Sequence, residues 1–242
     1  MNATDAAAEQ LERLRGLVTT ATQRLLGDTI SVPDPDWAGP SRLPEWTRAH
    51  VATHLARQAD GLGRLAEWAR TGERLDMYAS PEQRTSEIEA GVGRSGLELQ
   101  IDLDTSAGRL ERGFEALDQA DAWDAVVELR GGLKVPARLL PLARLLEVVI
   151  HHVDLDVGYE VSDIDPQTAE WLLEWCAFRL GRRDDFRKLA LTSNSGFAIT
   201  VGSAGDQPIA IHGSSPNLLG WLTNRAGASA VTGDEGLQLP PF

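Results

Sequence analysis

An acid and an imidazole, Glu147 and His151, interrupt an apolar stretch of the chain at a spacing of four residues. Side chains four residues apart on a helix leave the same face, so both could hold one ion or one ligand. A carboxylate in apolar surroundings is costly unless it is paired, hydrogen-bonded or bound to a metal. A metal ion would satisfy both residues at once, and this pair is therefore the first candidate for chemistry.

The pair needs a third ligand, because catalytic zinc sites commonly take three protein ligands of the His and Glu type. His50 and His54, on an upstream helix, are both candidates, and their own spacing of four residues does not separate them. Position favours His54, which lies one turn deeper, whereas His50 would serve the backbone or solvent in the first turn. His152 projects about 100° away from His151 on a helix, so we expect it outside the ligand set.

The composition excludes several classes of function. The 242 residues include 36 acidic side chains against 23 Lys and Arg, a formal charge of −13, without a basic block. Nucleic-acid and anionic-membrane partners are therefore not expected. Because the sequence has neither a signal-peptide pattern nor an apolar run of membrane-spanning length, we expect a cytoplasmic protein. Cys176 is the single cysteine and lies in an apolar pattern, so thiol chemistry would need an imported thiol.

Hydrophobic periodicity predicts a helical first part that positions these residues. Four helices are expected, at residues 6–26, 47–70, 81–118 with an interruption near 91–96, and 136–158, with a loop over 31–44. Thr47 and Ser80 are the expected N-caps, and Gln83 is the expected capping-box partner of Ser80. Four helices, two of which carry inward ligands, are typical of metal sites in bundle cores.

The pattern changes after about residue 160. Asp165 should cap a further helix, and a last helix should run from Ser215 to near Arg225. Between these two helices, short segments at 188–192, 197–201 and 208–212, separated by turn sequences, predict a small sheet. The chain is therefore expected to be an α+β protein with a helical bundle over residues 1–160 and a small α/β domain over 161–242.

Three segments of the chain resemble one known family. Trp46–His54, Met77–Arg84 and Glu147–Leu155 are similar, in order and in spacing, to the signature segments of the mycothiol-dependent maleylpyruvate isomerases. These enzymes belong to the DinB-like metalloenzymes, and the likeness extends over nearly the whole chain. It implies a DinB-like four-helix bundle followed by a small C-terminal domain resembling sterol carrier proteins.

The resemblance also implies a site and a reaction. It implies a zinc ion held by His54, Glu147 and His151, and roles for Arg84 and Arg225 in catalysis and in binding the substrate and the thiol. Mycothiol, the low-molecular-weight thiol of actinobacteria, would add as a thiolate to maleylpyruvate, a step in gentisate degradation. Rotation and elimination would then give fumarylpyruvate. Guanidinium groups match carboxylates in bidentate fashion, so the two arginines would orient the anionic substrate and stabilise its enolate.

Two other functions stay open beside the isomerase. The same ligands would serve a mycothiol S-transferase that conjugates or exchanges the thiol on another electrophile. A closed site with a fourth ligand, recruited from His50 or His152, would instead favour a non-catalytic metal-binding or ligand-binding protein. His152 is a departure from the family pattern, because it adds a second imidazole beside the ligand. In each case we expect a monomer.

Overall fold

Long helices make up most of the first unit of the chain, Met1–Gly158. The computed structural model describes residues 3–233 and 236–240. In chain order the elements of this unit are α1 Ala3–Thr29, α2 Asp34–Trp37, α3 Arg48–Thr71, α4 Pro81–Glu89, α5 Gly96–Ala120, β1 Val126–Glu128, β2 Lys134–Pro136 and α6 Leu140–Asp154. Helices α1, α5, α3 and α6 pack in this cyclic order as a four-helix bundle. The predicted first helix is confirmed and is longer than expected.

Helix α3 begins and ends where the sequence predicts. The Thr47 hydroxyl accepts a hydrogen bond from the backbone N–H of His50, and the His50 ring accepts one from the backbone N–H of Thr47 at 3.0 Å. Gly72 ends the helix in the left-handed conformation, with φ of 77°, which glycine adopts without steric cost. Most residues between these caps are buried, so α3 presents His54 from inside the bundle.

Helix α4 also begins at the predicted cap. The Ser80 hydroxyl accepts from the backbone N–H of Gln83 at 3.1 Å, and Pro81 occupies the first helical position. The expected capping box is wrong, because the Gln83 amide donates instead to Glu87 at 2.9 Å. The single hydrogen bond from the Gln83 backbone to Ser80 still caps the first turn of α4, which carries Arg84.

The loops around this helix differ in part from the prediction. Residues 31–44, expected to be a loop throughout, contain the short helix α2, whose Trp37 is buried in the bundle core. The interruption expected near 91–96 is confirmed, since α4 ends at Glu89 and α5 begins at Gly96. Short helices thus connect the long helices of the bundle on both sides of α3.

A two-stranded hairpin that was not predicted from the sequence precedes α6. Helix was predicted from residue 136, but α6 begins only at Leu140, because β1 and β2 pair antiparallel before it. Val127 and Val135 face each other in this register and are buried. Their β-branched side chains favour a strand over a helix. The helix also ends at Asp154 rather than Gly158.

The second unit, Tyr159–Phe242, combines two helices with a three-stranded sheet. Its main elements are α7 Pro166–Leu180, β3 Arg187–Ser193, β4 Ala198–Val201, β5 Ala204–Gly213 and α8 Ser215–Leu222. Strand β3 is central, antiparallel to β4 and parallel to β5. The predicted strands are all present, and the α+β class is confirmed. Helix α8 ends before Arg225, earlier than expected. Within the described residues, no helix combines the length and the apolar character needed to cross a bilayer.

Candidate metal centre

Three side chains from two helices converge inside the bundle. His54 projects from α3, and Glu147 and His151 project from successive turns of α6. The His54 Nε2 atom lies 3.1 Å from Glu147 Oε2 and 3.1 Å from His151 Nε2. The third side of this ligand triangle, from His151 Nε2 to Glu147 Oε2, measures 3.3 Å. Across residues 3–233 and 236–240, no other His, Cys, Asp and Glu side chains form a comparable group.

The ligand triangle has the size of one face of a zinc tetrahedron. With metal–donor distances of about 2.0–2.1 Å, adjacent donors of a tetrahedral site lie roughly 3.3 Å apart. Two imidazoles and one carboxylate are also a donor set of catalytic zinc sites, which keep a further position for water or substrate. The three residues therefore fit a divalent metal. The Glu147 side chain is 26% exposed against 8% for His54, so the triangle is reached from the Glu147 side.

Asp154 orients one ligand. Its Oδ2 atom lies 2.8 Å from His151 Nδ1, and the carboxylate is buried. Because Nδ1–H donates to Asp154, the Nε2 atom of His151 is directed at the other two ligands. No role for Asp154 was predicted from the sequence, although its spacing of three residues from His151 on one helix was a usable signal.

Burial and mutual hydrogen bonds set the charges of the triangle. Burial lowers the pKa of His54 to about 4, against the raising effect of its contact with Glu147. Burial alone would raise the pKa of Glu147, but hydrogen bonds from His151 and His54 hold that pKa well below its usual range. Burial opposes protonation of His151 as well, yet its bonds to Asp154 and Glu147 raise its pKa. The ionised Glu147 and the neutral His54 are in the state that binds a metal, whereas His151 would release a proton on binding one.

Arg84 reaches the outer side of the triangle from α4. Its Nη2 atom lies 3.1 Å from His54 Nδ1, and its guanidinium carbon lies 5.8 Å from the centre of the Tyr78 ring. A guanidinium only donates, so Nδ1 accepts here and the His54 ring carries its proton on Nε2. The structure thus brings Arg84 into direct contact with a candidate ligand, while its role in catalysis stays a prediction.

A buried arginine, Arg144, links the two ligand helices. Its Nη1 atom donates to the backbone carbonyl of Leu55 at 2.8 Å and to Gln58 Oε1 at 2.7 Å. Leu55 follows His54 in α3, and Arg144 lies one turn before Glu147 in α6. Burial lowers the pKa of Arg144 to about 10, and the charge of Glu147 opposes that shift. Arg144 was not predicted from the sequence, where its signal was a cation within an apolar helix.

The other two candidate histidines lie apart from the triangle. His50 closes the cap of α3, and its Nε2 atom is 3.5 Å from Glu89. His152 is buried, with Nε2 3.2 Å from Asp28 of α1. His50 thus hydrogen-bonds the backbone in the first turn of α3, as its place in the sequence predicts. His152 faces a neighbouring helix and is not a surface residue.

The remaining sequence candidates lie in the second unit. Arg225 follows α8, and its Nη1 atom donates to the backbone carbonyl of Thr223. Its expected role in binding the substrate stays a prediction. Cys176 is buried in α7, where burial raises the pKa of its thiol to about 12. A thiol with this pKa stays protonated near neutral pH, and its burial agrees with the apolar pattern seen in the sequence.

Comparison with known proteins identifies relatives of this arrangement. The family model described as the mycothiol maleylpyruvate isomerase N-terminal domain matches residues 18–156, which include the ligand triangle. A crystal structure of the mycothiol-dependent maleylpyruvate isomerase is 28% identical and covers 96% of this chain and 97% of that chain, with a TM-score of 0.85. A histidine-to-alanine mutant of that isomerase is 27% identical at the same coverage, with a TM-score of 0.84. Among curated proteins, none matches. Since the family model spans more than half of the chain, the chain belongs to the mycothiol maleylpyruvate isomerase family.

Proposed function

We propose that the protein is a zinc- and mycothiol-dependent enzyme that isomerises maleylpyruvate to fumarylpyruvate. The observation that carries the proposal is the ligand triangle, whose three donors fit one metal ion and leave a position for a further ligand. Membership of the family and the similar isomerase structures support the choice of thiol and substrate.

The nucleophile of this reaction has to be imported. Cys176 is the single cysteine of the chain, and its buried thiol has a pKa of about 12. A zinc ion on the triangle would keep the thiol of mycothiol deprotonated near neutral pH. The protein then needs only to hold the thiolate, orient the acceptor and exclude competing reactions.

The thiolate adds to the carbon–carbon double bond of the substrate, and the electron pair of that bond moves onto the keto oxygen as an enolate. The former double bond is now single and rotates. Collapse of the enolate re-forms the double bond in the trans geometry and expels the thiolate. No proton or electron is consumed overall, so the thiol is regenerated in every turnover.

In this reaction Arg84 would meet the negative charge, and its contact with His54 supports that role. When His54 acts as a ligand through Nε2, its ring proton resides on Nδ1, which then donates. A guanidinium is also only a donor, so Arg84 loses its acceptor on His54 and becomes free to bind an anion beside the triangle. A guanidinium at this place would orient a carboxylate and stabilise the enolate oxygen.

The test is isomerisation of maleylpyruvate with the thiol varied. Conversion to the trans isomer should require added mycothiol, leave its concentration unchanged, and persist in Cys176→Ala. Turnover without any thiol would reject the proposal, whereas stoichiometric consumption of mycothiol would identify an S-transferase instead. Arg225→Ala should lower kcat/KM by about 10²-fold at unchanged zinc content, as expected for loss of a charged contact to the transition state.

A further inference from the structure

A pocket of about 210 Å³ adjoins the ligand triangle within the first unit. Two of its lining residues connect it to the triangle. Arg84 contacts His54 directly, and the Tyr78 hydroxyl lies within electrostatic reach of Glu147. A substrate that reacts at the triangle can therefore extend into this pocket.

Residues 129–132, the turn between β1 and β2, form one wall of the pocket. We call this turn the hairpin wall. The backbone N–H of Leu129 donates to the carbonyl of Leu133 at 2.8 Å and closes the turn. Gly131 and Gly132 follow Arg130 with φ of 87° and 83°. This left-handed backbone is strained for residues with a Cβ atom. The two glycines therefore permit the tight turn that brings Arg130 to the pocket.

The guanidinium groups of the pocket are not neutralised by carboxylates. The two acids of the lining, Asp76 and Glu128, are both paired with Arg74, at 3.0 and 3.4 Å. In the part of the chain that the structure describes, neither Arg130 nor Arg84 has an ion-pair partner. The pocket thus presents two cations to any molecule that enters it.

The Tyr78 hydroxyl lies within electrostatic reach of both charges. Burial raises the pKa of its phenol, and the charges of Arg84 and Arg130 oppose that shift. The hydroxyl therefore stays protonated at neutral pH and can donate a hydrogen bond beside the two guanidiniums. Three donor groups around one small cavity are chemistry suited to a carboxylate.

We propose that Arg130 binds the carboxylate of the substrate that lies farther from the ligand triangle, and so selects dianionic over monoanionic electrophiles. This inference rests on the proposed function, in which Arg84 meets the charge near the reacting double bond. Arg130, on the hairpin wall, binds a group that does not change charge during the reaction. It contributes equally to binding the ground state and the transition state, and therefore acts on KM rather than on kcat.

The experiment compares Arg130→Ala and Arg130→Lys with Arg138→Ala, all loaded with zinc. Arg138 is a matched control, because it follows β2 and pairs with Asp124 outside the pocket. Arg130→Ala should raise the KM for maleylpyruvate about 10-fold and change kcat less than about 2-fold. Arg130→Lys should restore part of the affinity, since an ammonium lacks the planar fork. The control should match the wild type.

A second electrophile separates selectivity from general damage. The monomethyl ester of maleylpyruvate at the carboxylate farther from the carbon–carbon double bond, the group that the proposal assigns to Arg130, should show the same KM in the wild type and in Arg130→Ala. Equal losses on the diacid and the ester, or no loss on the diacid in folded, zinc-loaded protein, would overturn the proposal.

Failure of the proposed function is distinguishable from failure of this inference. If the wild type does not isomerise maleylpyruvate with mycothiol, the proposed function is wrong. Binding of fumarate, measured by calorimetry, then tests the pocket alone. Wild type should bind this dianion about 10-fold more tightly than Arg130→Ala, and equal affinities would show that Arg130 binds no carboxylate.

Discussion

The ligand triangle and the hairpin wall lie in the same unit but are built in opposite ways. The triangle stands on two long helices, and neighbouring side chains fix its members: Asp154 holds His151, and Arg144 ties α6 to α3. The hairpin wall stands on strands of three residues each, and the side chain of Arg130 is exposed. We therefore expect the two regions to have different roles. The helices would fix the positions of the metal ligands, and the hairpin would determine how well the substrate fits.

Removal of a ligand should produce the largest effect. His54→Ala, Glu147→Ala and His151→Ala each leave two donors, fewer than the three protein ligands of a catalytic site. Zinc content, expected at about one ion per chain in the wild type, should fall in all three, and isomerisation should fall by about 10³-fold or more. Metal analysis and steady-state kinetics check both.

The matched controls for these variants are His50→Ala and His152→Ala. Both remove an imidazole from the same two helices without touching the triangle, so both should keep the metal. Full zinc content in all three ligand variants would refute the metal centre. Loss of zinc in a control would mean that the ligand set has been assigned to the wrong histidine.

A smaller effect should come from the side chain that orients a ligand. Asp154→Asn preserves shape but replaces an acceptor of the His151 Nδ1–H by an amide that can also present a donor. Zinc affinity should fall about 10–100-fold, as is typical when such an outer partner is changed. The zinc affinity of the variant is measured by competition with a chromogenic chelator. An unchanged affinity would mean that helix geometry alone orients His151.

The smallest effect should come from the hairpin wall. The Cβ added in Gly132→Ala contacts nothing, but the alanine has to adopt a φ of 83°. This left-handed conformation costs a residue with a Cβ atom about 1 kcal/mol. The turn should shift, raising the KM for maleylpyruvate a few-fold while zinc affinity stays that of the wild type. Gly63→Ala, at an open position on α3, is the control. A loss of zinc in Gly132→Ala would contradict the division between the two regions.

The sequence predicted the members of the ligand triangle better than the side chains that contact them. Glu147 and His151 are detectable because their spacing is local to one helix, whereas the choice of His54 over His50 came from the family resemblance and not from spacing. The contact of Arg84 with His54 and that of Arg144 with Leu55 join separate helices. Such contacts depend on how the bundle packs, which periodicity within one helix does not encode.

The hairpin was missed for a different reason. Its strands are too short to establish an alternating pattern, and the apolar run of α6 begins a few residues later, so the helical signal dominated. The pair Gly131–Gly132 was the available clue, since adjacent glycines between short apolar segments favour a tight hairpin turn. Arg130 could not be related to a pocket until that turn was known.

The bond from Arg144 to Leu55 has a consequence for the protein without its metal. In small zinc modules the ion itself drives folding, because nothing else gathers the ligands. Here a cation of the chain already joins the two ligand helices, and a four-helix core surrounds them. The ligand side chains therefore lose conformational entropy when the chain folds, before any metal binds. We therefore expect the apoprotein to be a stable receptor that can exchange one divalent ion for another without unfolding.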